Sequence, residues 1–456
     1  MNKILIILVL CLAAGFACAQ NEPYALGADI SKIQQDEKST KYYRNGQAKD
    51  LFIILKESGF NYIRLRLFVD PTAKVTEDKP NSDGWSASPY STAGYCGLDS
   101  TIKVAKRIKE AGMKFLLDFH YSDTWADPGK QYKPMSWRNI NFTQLTEKVR
   151  AYTKESLQAF KNAGVLPDMV QVGNEVVGGM IHPDGQGNTQ NFATLVNAGI
   201  MGVRDVDANI KIMMHTITRH NNTDPDSWLA TLKSNLNKVE ANAANKIDVI
   251  GLSYYPMWHG DLNNLSRVLT ALANKNNIKI AVVEYADFHR EVNDLVHNLP
   301  DNKGFGTFVW EPQWFDGDTS KPLFDWKNNP AGRHSNARLE LYPQMVIDYG
   351  LSNVQSSSSS SLASSSSRAS SSSARSSSSL ASSSSRVSSS SSADEPSSSS
   401  NIESSSSSED ITPVLSANPV KNVESLSIYF DGSRVLIKKT LSNGKARIFD
   451  LKGKER

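Results

Sequence analysis

Short apolar runs alternate with longer amphipathic stretches over the first three quarters of the chain. The runs Ala25–Asp29, Tyr62–Leu67, Lys114–Phe119, Met169–Val172, Lys211–His215, Val249–Ser253, Ile280–Val283 and Phe305–Val309 read as strands. Apolar side chains on both faces of such short runs suit strands covered on both sides, as in a parallel sheet. Between them, Asp99–Ala111, Leu145–Ala163 and Leu262–Asn274 read as helices. In the first of these, Ile102, Ala105, Ile108 and Ala111 recur at helical spacing, and Gly112 follows as a stop. Eight strands with intervening helices predict an α/β fold, a (β/α)8 barrel with enlarged loops. An open doubly wound sheet is the alternative. No Gly-rich phosphate loop follows the first strand, which counts against its nucleotide-binding versions.

The two ends of the chain break this pattern. Met1-Asn2-Lys3, the apolar run from Ile4 to Leu12 and Ala17-Cys18-Ala19 read as a secretory signal peptide over 1–19. Its removal takes Cys11 and Cys18 and leaves Cys96 alone, so the exported chain is expected to lack an internal disulfide. A lipoprotein anchor at Cys18 is the rival reading. The barrel is expected over 20–352. Ser356 to Ser408 is mostly serine, and it cannot bury enough apolar surface to offset its chain entropy. A disordered linker is therefore expected over 353–410 and a small all-β domain over 411–456. In that tail, Ser427–Phe430, Val435–Ile437 and Ala446–Asp450 read as strands, with turns at Asp431-Gly432 and Asn443-Gly444. Asn418-Pro419-Val420 and Phe449 to Lys454 resemble the ends of the C-terminal sorting domains of type IX secretion substrates. That resemblance implies secretion machinery as a partner. A carbohydrate-binding module is the alternative, but the tail has no Trp to form a sugar platform.

The net charge of +3 over 456 residues gives no reason to invoke nucleic acid or an anionic membrane. Candidate chemistry concentrates where predicted strands end. Pro167 to Glu175 reads as a buried strand running out into a glycine, an amide and a carboxylate. Carboxylates at the C-terminal ends of barrel strands tend to point into the site. Taken alone, the same stretch also reads as the cap of the next helix. Ala281-Val282-Val283-Glu284 ends the seventh strand in the same way. Glycoside hydrolysis needs such a pair: one carboxyl group protonates the leaving oxygen, and the other attacks the anomeric carbon or activates water.

Aromatic and polar residues gather at the other strand ends. Asp118, His120 and Trp125 follow strand three, Tyr254 and Trp258 follow strand six, and Trp310-Glu311-Pro312 ends strand eight. Sugar C–H faces stack on indoles, and hydroxyls bind Asp, His and Asn. Asp118, His120, Trp125, Trp258 and Trp310 are therefore candidate substrate ligands, while Phe119 and Tyr255 read as packing. Alternation puts Arg64 and Arg66 on one face of strand two. An arginine inside a barrel needs an anionic partner: a catalytic carboxylate, or Asp29 or Asp118. No metal or cofactor is expected. There is no His-x-x-x-His or Cys cluster, Asp99, Asp123 and Asp127 lack EF-hand spacing, and no Gly-x-Ser-x-Gly occurs.

Six stretches, in order, resemble glycoside hydrolase family 53, the (arabinogalactan) endo-β-1,4-galactanases. They are Gly27-Ala28-Asp29, Asn61 to Leu67, Leu116 to Pro128, Val170 to Glu175, Gly251 to Pro256 and Trp310-Glu311-Pro312. The likeness runs from Tyr24 to Trp314. It implies a retaining barrel hydrolase with Glu175 as acid/base and Glu284 as nucleophile. It also implies that Asn174 contacts the sugar 2-hydroxyl and that Tyr254 supports the nucleophile, beside Arg64 or Arg66. The implied substrate is β-1,4-galactan or type I arabinogalactan, as in pectin side chains. Many bacterial relatives carry a longer loop with a calcium site after strand seven, but here Tyr285 to Arg290 leads directly into a helix. A β-mannanase or other β-glycanase on the same barrel is the nearest alternative. A wall-polysaccharide-binding protein without activity is the other.

Overall fold

The computed structural model describes residues 22–73, 90–218, 224–314 and 321–351, and the backbone of 423–431, 434–441 and 446–450. The predicted signal peptide, the serine-rich stretch and the tail turn residues Gly432 and Asn443-Gly444 lie outside the described residues.

Eight parallel strands close into a barrel, each paired to the next and the last to the first. They are β1 (Ala25–Asp29), β2 (Tyr62–Leu67), β3 (Lys114–Phe119), β4 (Met169–Val172), β5 (Lys211–Ile217), β6 (Val249–Tyr254), β7 (Lys279–Tyr285) and β8 (Gly304–Trp310). A helix follows each strand: Leu51–Glu57, Leu98–Glu110, Phe142–Asn162, Gln190–Arg204, Pro225–Val239, Leu262–Lys275, His289–His297 and Leu341–Asp348. The third starts earlier than its apolar stripe suggests. Asn141 and Gln144 form a reciprocal capping box that satisfies the free N–H groups of its first turn. An element with no counterpart in the sequence reading is the sheet made by Phe324–Asn328, Ala331–Ser335, Tyr42–Arg44 and Gln47–Ala48. Its strands are short, and two of them carry three residues or fewer, too few for alternation to register. The tail strands Val423–Asp431, Arg434–Leu441 and Ala446–Asp450 form an antiparallel sheet within a second compact unit.

The barrel interior changes character along its axis. Ala25, Tyr62, Leu116, Met169, Met213, Val249, Ala281 and Val283 pack as an apolar plug. One or two inward positions further along, the strands carry Asp29, Arg64, Asp118, Gln171, His215 and Ser253, all buried. Residues at odd steps, such as Ile63, Leu65, Leu252 and Val282, face the helices in the larger core.

β7 departs from this alternation at one place. Val282 pairs with Leu252, but Glu284 pairs with Ser253, and Val283–Glu284 together oppose the single residue between Thr307 and Val309. This is a β-bulge. Strict alternation from Ala281 and Val283 would turn Glu284 toward the helices and Tyr285 inward. The bulge reverses both, so Glu284 points into the barrel and Tyr285 joins the outer core beside Tyr342. β7 also runs two residues past its predicted end, so Glu284 lies within the strand.

The seam between β1 and β8 is closed by a glycine. Gly306 has φ +152°, and a Cβ there would meet the Ala25 carbonyl oxygen at 2.2 Å. Gly306→Ala is predicted to destabilise the barrel by about 2–3 kcal/mol. All eight tryptophans precede residue 327, so indole fluorescence in urea reads the barrel alone. An unmoved midpoint would contradict the close approach.

Candidate active site

Arg64 lies at the centre of the polar layer, fully buried, with all five N–H groups committed. Nη1 donates to Asp29 Oδ2 at 2.9 Å and to Glu284 Oε1 at 2.8 Å. Nη2 donates to Asp118 Oδ2 at 2.8 Å and to Asn174 Oδ1 at 2.7 Å. Nε donates to Gln171 Oε1 at 3.2 Å. These partners come from β1, β3, β4 and β7 and from the turn after β4. Of the partners weighed for this arginine from sequence, the structure supplies the catalytic carboxylate, Asp29 and Asp118 together.

Glu175 and Glu284 face one cavity of about 420 Å³. Gly173 (φ +88°) and Glu175 (φ +46°) take left-handed backbone conformations that swing the chain off β4 into the cavity wall. Glu175 precedes a short 3-10 turn, Val176–Gly178, but its side chain makes no capping bond, so the helix-cap reading does not hold. Burial raises the pKa of Glu175 well above the usual carboxylate range, and the charge of Glu284 adds to the rise. Burial also raises Glu284, but Arg64 at 2.8 Å opposes it and favours the ionised form. Among the described residues no cation touches Glu175. The site thus favours a proton on Glu175 and a charge on Glu284.

The hydroxyl serving Glu284 belongs to Tyr255, which donates to Oε2 at 3.3 Å, and not to Tyr254 as the sequence suggested. Alternation explains the exchange. Ser253 and Tyr255 share the inward face, while Tyr254 turns out into the helix-facing core. His215, one of the residues that the sequence reading missed, joins the turn after β4 to β6. Asn174 Nδ2 donates to the Ala126 carbonyl, which turns Asn174 Oδ1 toward His215 Nδ1 at 2.8 Å. The Glu175 backbone N–H also donates toward His215 Nδ1, at 3.3 Å. Burial, and then the charge of Arg64, keep the ring neutral, and Nε2 lies 3.0 Å from the Ser253 hydroxyl, which itself donates to Glu284 Oε2 at 3.4 Å.

The other candidates divide between cavity and floor. Trp125, Trp258 and Trp310 line the cavity with Asn174 and Tyr255. Asp118 and His120 do not: both are buried with protein partners. Asp118 accepts from Arg64 and Gln171, and His120 bridges Asp118 (3.0 Å) and the Ala126 N–H (2.9 Å). They hold the floor and the loop after β3. Arg66 pairs with Glu311 at 2.8 Å and stacks on Trp125 at 3.9 Å from the ring centre, so it braces the cavity wall and does not reach Glu284. Gln171, His215 and Ser253 carry no motif of their own. Their signal is positional, since each lies on the inward face of a strand whose earlier inward residues are apolar. Among the described residues no group of three or more His, Cys, Asp or Glu is arranged to hold a metal ion.

Comparison with known proteins gives a consistent family. Residues 25–294 match the model of glycosyl hydrolase family 53. The chain is 35% identical over 362 residues to an endo-beta-1,4-galactanase of Bacillus subtilis (strain 168), covering 71% of this chain and 79% of that one. It is 33% identical over 291 residues to an arabinogalactan endo-beta-1,4-galactanase of Cellvibrio japonicus, covering 61% and 70%. Among solved structures, the family 53 catalytic domain of Ignisphaera aggregans superposes with a TM-score of 0.58 at 28% identity, over 71% of this chain and 97% of that one.

Arg64→Lys tests the central guanidinium. A lysine has three donors on one nitrogen and cannot serve five acceptors. The single ammonium keeps the charge but loses the N–H aimed at Glu284, so the pKa of Glu284 rises and its ionised form persists only at higher pH. The acidic limb of the pH–rate profile is predicted to move upward, and kcat to fall by about a hundredfold. An acidic limb that stays in place would show that Arg64 does not govern Glu284.

Proposed function

The chain belongs to glycosyl hydrolase family 53, and from that premise we propose that it is an endo-β-1,4-galactanase acting with retention of anomeric configuration. The observation that carries the reading is the unequal setting of two glutamates at one cavity. Glu284 has a guanidinium and a tyrosine hydroxyl, while Glu175 is buried beside a like charge. The relatives named as galactanases support the substrate class.

In the first step Glu175 gives its proton to the glycosidic oxygen as Glu284 attacks the anomeric carbon. The leaving chain departs with that proton, and a covalent glycosyl-enzyme forms. Esterification removes the charge of Glu284. The repulsion that raised Glu175 then falls away, and Glu175, now ionised, takes a proton from the incoming water. Asn174 holds its side chain at the cavity wall for the sugar 2-hydroxyl, and Trp125, Trp258 and Trp310 offer stacking faces.

Several measurements separate this reading from its rivals. Reducing ends should be released from β-1,4-galactan and not from mannan or cellulose; the reverse pattern would assign another β-glycanase. NMR should show the β-anomer as first product, and an α-product would exclude the covalent route. Glu284→Ala should abolish turnover. Glu175→Ala should give a burst with an activated aryl galactobioside, then slow turnover that azide accelerates. Near wild-type cleavage by both variants would leave only a binding protein.

We further read residues 1–19 as an export signal and 353–456 as dispensable for catalysis. The barrel closes with elements that end at Asp348. Truncation after Ser352 is predicted to leave galactan cleavage and barrel Tm within experimental error, and to alter export or surface retention in the native host. A large loss of activity or Tm would place part of the tail in the catalytic unit. Unchanged export would remove the sorting role.

A further inference from the structure

His259 lines the cavity, yet neither acid–base chemistry nor the Arg64 network uses it. It ends the short helix Pro256–His259 that follows β6. Its ring is held firmly. Nδ1 accepts the backbone N–H of Tyr255 at 2.9 Å, and its own carbonyl accepts from Asn264 Nδ2 at 2.7 Å. An Nδ1 that accepts a hydrogen bond carries no proton, so in the neutral ring the proton is on Nε2. Burial lowers the ring pKa to about 4, which keeps it neutral at ordinary working pH. Among the described residues Nε2 has no hydrogen-bond partner, although the residue is only 5% exposed.

Its neighbours define what the free donor meets. Tyr255 lies on one side, with its hydroxyl on Glu284. Trp258 lies on the other, 63% exposed and edge-on to Tyr255 at 5.4 Å. A cavity edge with one fixed N–H beside two aromatic rings, whose centroids lie 6.2 and 6.5 Å from that of His259, suits a pyranose, which offers apolar C–H faces and hydroxyl acceptors. We propose that His259 binds substrate directly, its Nε2–H donating to a hydroxyl or ring oxygen of the sugar lying against Tyr255 and Trp258. The proposal rests on the cavity being a glycan site. It differs from a purely structural role, in which His259 only anchors the Tyr255 backbone.

Two amide substitutions separate these roles. In His259→Asn the amide oxygen occupies the place of Nδ1 and keeps the Tyr255 anchor, but the distal donor is lost. In His259→Gln the amide nitrogen reaches the place of Nε2, and the anchor is lost. For direct binding, His259→Asn should raise KM for a galactan tetrasaccharide about tenfold, with kcat within about twofold and Tm unchanged. His259→Gln should recover most of the KM. Wild-type KM in His259→Asn, with kcat lowered in His259→Gln, would overturn the proposal in favour of the anchor. The same pair is assayed on whichever β-glycan the wild type cleaves. Cleavage of mannan alone would refute the galactan assignment while the KM ratio still decides the role of His259. A wild type that cleaves no glycan would overturn both.

Discussion

One guanidinium with every N–H engaged sets the geometry of the site. Arg64 draws three carboxylates and two side-chain amide oxygens into one set of contacts. Its charge is in short supply. Five acidic side chains, Asp29, Asp118, Glu175, Glu284 and Glu311, share the buried layer with only two arginines. Each of Asp29, Asp118, Glu284 and Glu311 has an arginine contact, and Glu175 has none. The excess of negative charge therefore falls on the one carboxyl group that can relieve it by holding a proton. The two glutamates differ here because the buried arginine contacts are distributed unequally.

The apolar plug below this layer has a complementary part. Met169, Met213 and Val283 pack the barrel beneath the charges with buried apolar side chains. Asp118 and His120 form the floor between plug and cavity. Polar residues buried below the cavity thus fix the ones that line it, among them the indoles, Tyr255, Asn174, His259 and the two glutamates.

Much of this was legible in the residues. All eight barrel strands were, because runs apolar on both faces have few other uses, and so were Glu175, Glu284 and the indoles. Arg64 was recognisable from alternation together with the need of a buried cation for partners. What the sequence concealed depended on phase. Tyr254 and Tyr255 are adjacent and identical in type, and only the inward phase of β6 decides which one meets Glu284. Asp118 and His120 looked like sugar ligands because nothing local reveals that Arg64, Gln171 and the Ala126 backbone already occupy them. His215 and Ser253 have no motif and become visible only when strands distant in the chain stand side by side.

Phase also decides what the bulge in β7 means. One supernumerary residue lets two successive side chains face inward, Val283 in the plug and Glu284 above it. Loss of Val283 would leave a regular strand in which the carboxylate keeps its inward face and Tyr285 its outward one, with a gap left in the apolar plug. Composition, secondary structure and nearly every motif would survive such an event. A barrel one residue shorter here would therefore keep both glutamates at its cavity and give up the apolar support beneath one of them.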